Sequence, residues 1–194
     1  MMDCFAKPGA AAVPVTPVAA KDFKAWLAKQ DAPTRAWVTG NGFTAEAGPH
    51  LVIPNAKGGV GRIVLGRGEA ASMWDFGDLP KKLPAGRYVL DGLNAKKDAD
   101  AATAAALAWA LGSYQFGRYK AGARIAAKLV WPAACDRARV EREAKGTILC
   151  RDLINTPTND MGPGDLADAA RALGRAFKAR VRVIEGDQLL KKNF

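Results

Sequence analysis

Cysteine and histidine are scarce in this 194-residue chain, which contains three cysteines and a single histidine. Cys4, Cys135 and Cys150 are far apart in the sequence and form no Cys-x-x-Cys pair, and His50 has no second histidine beside it. Zinc sites and thioredoxin-type redox sites depend on such closely spaced ligands or thiols. The sequence therefore argues against both kinds of site and favours three reduced thiols in a cytoplasmic protein.

Long hydrophobic runs are also absent. No stretch reaches the roughly 18 to 20 apolar residues that a membrane-spanning helix needs. The first 18 residues are rich in Ala, Pro and Val, but Lys7 and the prolines at 8, 14 and 17 interrupt the apolar run that a secretory signal peptide requires. We therefore expect a cytoplasmic protein without a membrane partner.

Acidic residues are outnumbered, with 19 Asp and Glu against 29 Lys and Arg, which gives a formal net charge of +10. The excess is spread along the chain, with 17 basic and 10 acidic residues in 1–134 and 12 and 9 in 135–194. Two interpretations stay open: a solvated basic surface, and a surface that binds nucleic acid or another anion. The diffuse distribution favours the solvated surface over a nucleic-acid partner.

Hydrophobic patterning predicts an α/β fold in the first two-thirds of the chain. Short apolar segments bounded by Gly, Pro and Asn predict strands over 13–18, 36–39, 51–54, 63–65, 88–90 and 124–131. Pro14 and Pro17 should confine the first strand to a sheet edge or an irregular segment. Helices are predicted over 22–29, closed by Pro33, and over 98–114, an Ala-rich segment that should be buried because it has no polar face. The alternation predicts a mixed sheet flanked by helices.

The last third of the chain predicts a long helix followed by the start of a second domain. The helix covers 136–155 and ends before Pro157. Another helix opens at Pro163, with Asp165 and Asp168 at the positive end of its dipole. A strand over 180–185 and a helix from Asp187 follow. We therefore predict an N-terminal α/β domain over 1–134, a connecting helix over 135–157, and a truncated second α/β domain over 158–194.

Four features invite a functional interpretation, and each has a structural alternative that we favour. The glycine-rich segment 57–61 could cradle a phosphate, but it lacks the Gly-Lys-Ser/Thr ending and precedes a strand, so a hairpin turn is expected. Asp75 with Asp78 could form an acid–base or metal pair, although solvated carboxylates are the simpler interpretation. His50 is expected to lie at a surface or a sheet edge. The aromatic residues Trp109, Tyr114, Phe116 and Tyr119 could stack nucleobases, but their spacing favours packing in the core and at the helix end.

One segment carries a family resemblance. Residues 151–163 read Arg-Asp-Leu-Ile-Asn-Thr-Pro-Thr-Asn-Asp-Met-Gly-Pro, which resembles the domain junction of the leucine (cytosol) aminopeptidase family. The matching positions are Arg151, Asp152, Leu153, Asn155, Pro157, Asn159 and Pro163. The segments 41–45 and 109–120 are similar to a bacterial branch of that family, so the resemblance extends over about 40–194.

The resemblance implies a fold and an activity. Members of the family have an α/β N-terminal domain of macro-domain-like topology, a long linker helix and a C-terminal peptidase domain, and they assemble as hexamers. Two divalent metals, manganese or zinc, activate the water that attacks the N-terminal peptide bond. The family's metal ligands and catalytic lysine lie in Gly-Lys-Gly, Asp-Thr-Gly-Gly and Asn-Thr-Asp-Ala-Glu-Gly-Arg motifs, which are absent from these 194 residues. We therefore assign no catalytic, cofactor-binding or metal-ligating residue, and expect these residues alone to be inactive and to serve assembly.

Overall fold

The structure, a computed structural model, describes residues 3–9, 11–122 and 125–194. The chain divides into two compact units, the first ending at Ile148 and the second covering Leu149–Phe194. Within the described ranges, no helix is both long and apolar enough to cross a membrane. The predicted division into 1–134, 135–157 and 158–194 stays a prediction, because a long helix crosses the boundary between the two units.

The first unit is built on a mixed six-stranded sheet, as predicted. Its strands have the order β1-β6-β5-β2-β4-β3, and every neighbouring pair is parallel except the antiparallel pair of β3 and β4. The strands are β1 (Phe5–Ala6), β2 (Val13–Val18), β3 (His50–Pro54), β4 (Val60–Gly66), β5 (Gly86–Leu90) and β6 (Ala127–Val130). The predicted start of the last strand, Arg124, lies outside the described residues.

Five helices accompany the sheet in chain order. They are α1 (Phe23–Ala28), α2 (Ala32–Gly40), α3 (Leu79–Lys82), α4 (Ala99–Gly112) and α5 (Arg137–Asn155), the last of which continues into the second unit. The predicted helices over 22–29, 98–114 and 136–155 are confirmed. The predicted strand over 36–39 is wrong, because this segment belongs to α2. The Asp31 carboxylate caps that helix by accepting a hydrogen bond from the Thr34 amide at 2.9 Å, and Pro33 lies in the first turn.

Helices cover both faces of the sheet, and β4 shows how the sequence achieves this. Successive side chains of a strand point to opposite faces. Ile63 and Leu65 therefore join the larger core, which contains Trp109 of α4 and residues of α5, whereas Val64 joins a smaller core with Val38 of α2. The burial predicted for α4 is confirmed, since eight of its fourteen residues are buried.

Strand β2 lies in the interior of the sheet between β5 and β4, so the predicted edge position is wrong. The backbone of Val15 faces β5 and that of Val18 faces β4, since their carbonyls accept hydrogen bonds from the residues that follow those strands. Backbone N–H and C=O groups of successive residues point to opposite sides of a strand. The backbone of Pro14 therefore faces β4, and that of Pro17 faces β5. However, β4 pairs only with Val15–Val18 and β5 only with Val13–Val15. Each proline therefore lies beyond the ladder to which its missing N–H would have contributed.

The second unit contains the end of α5, then α6 (Pro163–Ala176) and α7 (Gln188–Lys191). Both predicted helix starts, near Pro163 and Asp187, are confirmed. The strand predicted over 180–185 is wrong, because this segment pairs with no strand of the described chain. Alternating side chains produce a strand only where a neighbour completes the backbone hydrogen bonds. Here the chain turns after α6, where the Ala179 amide donates to the Gly174 carbonyl at 2.8 Å.

Candidate functional site

The carboxylates of Asp75 and Asp78, which could have formed a metal-binding pair, make separate contacts. The Asp75 carboxylate is only 7% exposed and accepts hydrogen bonds from Arg67 Nε at 2.9 Å and from the Ser72 amide at 3.0 Å. Asp78 lies at the surface and pairs with Lys82 at 2.9 Å, which lowers the pKa of its carboxyl. Each carboxylate therefore has its own cationic partner. The expected solvated carboxylate is confirmed for Asp78 but wrong for Asp75, which is buried against Arg67.

Metal ions in proteins are held by clustered His, Cys, Asp and Glu side chains. In residues 3–9, 11–122 and 125–194, no three His, Cys, Asp or Glu side chains lie close enough together to hold a metal ion. Cys4, Cys135 and Cys150 are free thiols, and burial raises the pKa of Cys4 and of Cys135. The donors present among the described residues therefore do not fit a two-metal centre.

His50 begins strand β3, opposite Leu65 of β4, at the sheet edge where it was predicted. Partial burial, with a smaller contribution from Lys82, lowers the pKa of its imidazole. A neutral imidazole near neutral pH follows from this environment.

The glycine-rich segment 57–61 belongs to the β3–β4 hairpin, as predicted: residues 57–59 lie in the turn, and Val60 and Gly61 begin β4. The side-chain oxygen of Asn55 accepts hydrogen bonds from the amides of Lys57 and Gly59 at 2.9 and 3.0 Å. The Asn55 amide in turn donates to the Gly59 carbonyl at 2.7 Å. The amides that could have bound a phosphate therefore hold an asparagine side chain instead.

The four aromatic residues near the end of α4 separate into two groups. Trp109 is fully buried and lies 6.1 Å from the Tyr88 ring, which confirms the predicted core position. Tyr119 is 54% exposed, so the packing predicted for the four rings in the core and at the helix end does not bury this one. Its ring contacts Phe116 with centroids 5.8 Å apart in a T-shaped arrangement. This exposure follows from its place in the loop after α4, where the helical spacing that suggested packing no longer applies.

The junction segment lies in the second unit and is a helix–turn–helix connection. Thr156 ends α5 by donating through its hydroxyl to the Asp152 carbonyl at 2.7 Å. A turn follows, in which the Asp160 amide donates to the Pro157 carbonyl at 2.9 Å. Helix α6 then opens with Pro163 in its first turn, and the Asp165 carboxylate accepts from the Gly162 amide at 2.9 Å. The position predicted for Asp165, in the first turn of α6, is confirmed. Asp168 lies beyond the first turn, contrary to the prediction, and pairs with Arg171 at 2.6 Å.

Two proteins that are similar to this chain in sequence are both probable cytosol aminopeptidases. A probable cytosol aminopeptidase of Azoarcus sp. (strain BH72) is 38% identical over 88 residues, which is 38% of this chain and 18% of that protein. A probable cytosol aminopeptidase of Roseiflexus castenholzii is 33% identical over 97 residues, 43% of this chain and 20% of that protein. The matched part therefore spans about a fifth of each relative.

Solved structures extend the similarity over nearly the whole chain. The cytosol aminopeptidase of Coxiella burnetii superposes with a TM-score of 0.83 at 38% identity, covering 96% of this chain and 41% of that one. A tomato leucine aminopeptidase mutant shares the fold, with a TM-score of 0.72 at 18% identity over 97% of this chain and 45% of its own. The model of the M17 aminopeptidase N-terminal domain matches residues 13–132. The resemblance inferred from the junction motif is confirmed, and the chain belongs to the M17 aminopeptidase family.

Proposed function

We propose that residues 1–194 are the N-terminal domain and the opening of the peptidase domain of a cytoplasmic leucyl aminopeptidase, which removes N-terminal amino acids from peptides. The M17 match over 13–132 and the 38% identity to the Coxiella burnetii enzyme support this proposal. The chain spans 41% of that enzyme's length, so the activity belongs to a longer protein in which further residues supply the chemistry.

The observation that carries the proposal is the uncovered apolar surface of the second unit. Of residues 149–194, only Thr156 and Gly174 are buried. Helix α6 has its apolar stripe at the surface, with Leu166 53% and Leu173 45% exposed, and Phe177 just beyond it is 72% exposed. An amphipathic helix normally buries such a stripe against a core. We propose that the remainder of the peptidase domain covers it in the full-length enzyme.

The proposed reaction depends on two divalent metals, manganese or zinc, in the full-length protein. Such ions polarise the scissile carbonyl and lower the pKa of a bound water. The donors of the described residues do not fit this centre, so the proposed metal ligands lie outside them. Their proposed role is to fold the N-terminal domain and to contribute to a homohexamer.

The test compares two lengths of the same protein. The 194-residue chain and the product of a reading frame continued beyond Phe194 should be purified and assayed on leucine p-nitroanilide, with manganese and with zinc. We expect nitroaniline release only from the longer protein. Release by the 194-residue chain above a buffer blank would contradict the proposed inactivity, and a longer protein without activity would contradict the proposed reaction.

Assembly needs a separate measurement. We expect the longer protein to have the mass of six protomers by light scattering after size-exclusion chromatography. A monomeric mass at micromolar concentration would contradict the proposed hexamer while leaving the proposed reaction to the activity assay.

A further inference from the structure

A small cavity lies between the hairpin of β3 and β4 and the chain that connects α1 to the first turn of α2. Its volume is about 310 Å³, and the residues that line it include Lys29, Asp31 and Thr34 on one side and Ile53 and Arg62 on the other. Small-molecule sites in proteins have volumes of about 300–1,000 Å³, so this cavity accommodates only a small ligand.

The cavity contains a half-buried cation, the guanidinium of Arg62. Arg62 lies two residues before Val64 in β4, so both side chains point to the sheet face that α2 covers. Its Nη1 donates to the side-chain oxygen of Gln30 at 3.1 Å, and Gln30 Nε2 donates in turn to the Trp26 carbonyl at 2.9 Å. Gln30 thus orients the guanidinium through one of its five N–H donors, and the described chain provides no hydrogen bond to the other four.

Asp31 brings the opposite charge to the same cavity. Its carboxylate accepts a hydrogen bond from the Thr34 amide at 2.9 Å, and hydrogen bonding by Thr34 is the main reason that the pKa of this carboxyl is lowered. The charges of Arg35 and Arg62 lower that pKa further. The carboxylate is therefore ionised at neutral pH, and its two oxygens have the capacity to accept further hydrogen bonds.

The two charges share the cavity but do not neutralise each other. Neither Asp31 nor Arg62 belongs to an ion pair of the residues that the structure describes. Arg62 nevertheless contributes to the lowered pKa of Asp31, so the two groups lie within electrostatic reach. A simple anion in the cavity would meet the Asp31 carboxylate, and a simple cation would meet Arg62 and Lys29, and like charges so placed oppose binding. A small molecule that carries both charges satisfies both sides.

We propose that this cavity binds a free α-amino acid in its zwitterionic form. The carboxylate of the ligand accepts hydrogen bonds from the Arg62 guanidinium, whose planar fork matches carboxylate geometry, and the ammonium group donates to Asp31. Ile53, the cross-strand neighbour of Arg62, provides an apolar contact for an aliphatic side chain. Amino acids are also the products of the reaction proposed above, but the site is assigned from the cavity and its charges alone.

Ligand analogues test the need for both charges. The ¹⁵N-labelled 194-residue chain should be titrated with L-leucine, and binding followed by the NMR shifts of backbone amides. We expect saturable shifts in 29–34 and at Ile53 and Arg62, with a Kd of about 1 mM, an affinity reasonable for so small a ligand. N-acetylleucine and leucinamide each lack one of the two charges and should bind at least about tenfold more weakly. Equal affinity for either analogue, or no saturable shift at about ten times the expected Kd, would overturn the proposal.

Two substitutions test the residues assigned to the site. Asp31→Asn removes the charge but keeps a side chain that caps α2, and Arg62→Gln removes the guanidinium. Each should weaken leucine binding at least about tenfold, the loss expected when a hydrogen bond between charged groups is removed. The matched controls Asp78→Asn and Arg142→Gln make the same changes at exposed residues that do not line the cavity, and they should bind leucine like the unmodified chain.

Unchanged binding by either cavity variant would overturn the assignment, and so would an equal loss in its matched control, which would show an effect of net charge. Circular dichroism spectra compare the folding of each variant with that of the unmodified chain. If a cavity variant unfolds, the two analogues decide the question on the unmodified chain. Neither test involves peptide hydrolysis, so failure here leaves the proposed aminopeptidase function unaffected.

Discussion

Gly112, the last residue of α4, lies against the backbone of Gly77, so that a Cβ atom built on Gly112 would be 1.7 Å from the Gly77 carbonyl oxygen. This close approach lets α4 pack against the short 3₁₀ turn of Met73–Phe76, whose residue Phe76 is buried in the larger core. No side chain larger than hydrogen fits at Gly112 unless the two segments separate.

Gly112→Ala should therefore destabilise the first unit. We expect a loss of about 1–3 kcal/mol in the free energy of unfolding, the usual range for overpacking a well-packed core. The matched control is Gly146→Ala in α5, where the added Cβ meets no atom within 4 Å. That substitution should be neutral or stabilise by up to about 1 kcal/mol, because alanine is the better helix former. Urea unfolding of both variants checks the difference, and equal effects would contradict this packing.

The ion pair of Arg67 and Asp75 should contribute more to stability than the exposed pair of Asp78 and Lys82. Asp75 is almost fully buried and Arg67 is 21% exposed, so removing the carboxylate charge leaves a poorly solvated guanidinium. We expect Asp75→Asn to cost about 3 kcal/mol of stability, the lower end for breaking a buried pair. Asp78→Asn breaks an exposed i,i+4 pair and should cost less than about 0.5 kcal/mol. Thermal unfolding monitored by circular dichroism distinguishes the two, and similar shifts would argue against a structural role specific to Asp75.

The sequence predicted those elements whose signals are local and unambiguous. Helix α4 is predictable because residues 99–112 are nearly all apolar and Ala-rich, a composition that is stable only as a buried helix. Helix α2 was missed because Trp37 and Val38 suggested a strand. The stronger signal was the Asp31 cap followed by Pro33 in the first turn.

Other features depend on tertiary contacts that a linear pattern does not contain. The two prolines of β2 are tolerated because the flanking strands pair with different parts of it.

The lowered pKa of His50 makes a prediction about pH. The imidazole has a lower pKa in the folded chain than in the unfolded chain, where it lies near 6.5. As the pH falls through 6.5, the unfolded state binds a proton first, so His50 disfavours folding progressively until the pH is below its folded pKa. Urea midpoints between pH 5 and 8 should therefore fall less steeply on acidification for His50→Gln than for the unmodified chain. Parallel curves would contradict the pKa shift.

Limited proteolysis tests the predicted domain organisation. The segment 177–187 connects α6 to α7, pairs with no strand of the described chain and carries three exposed basic residues, Lys178, Arg180 and Arg182. Trypsin cleaves after such residues where the backbone can unfold locally, and the second unit has almost no buried core to resist opening. We expect the earliest cuts in 178–182, or with other proteases in 156–164, and a more persistent fragment containing the sheet and α4.

The time course should be followed by mass spectrometry of intact fragments. A longer protein continued beyond Phe194 provides the control, because the peptidase domain proposed above should cover the apolar stripe of α6 and protect 178–182 from trypsin. Early cleavage in the strands or α4 of the 194-residue chain, with 149–194 intact, would contradict the division into a stable N-terminal domain and an incompletely covered second one. Equal resistance of both units would contradict it as well, because a segment in which only Thr156 and Gly174 are buried has too few internal contacts to match the larger core.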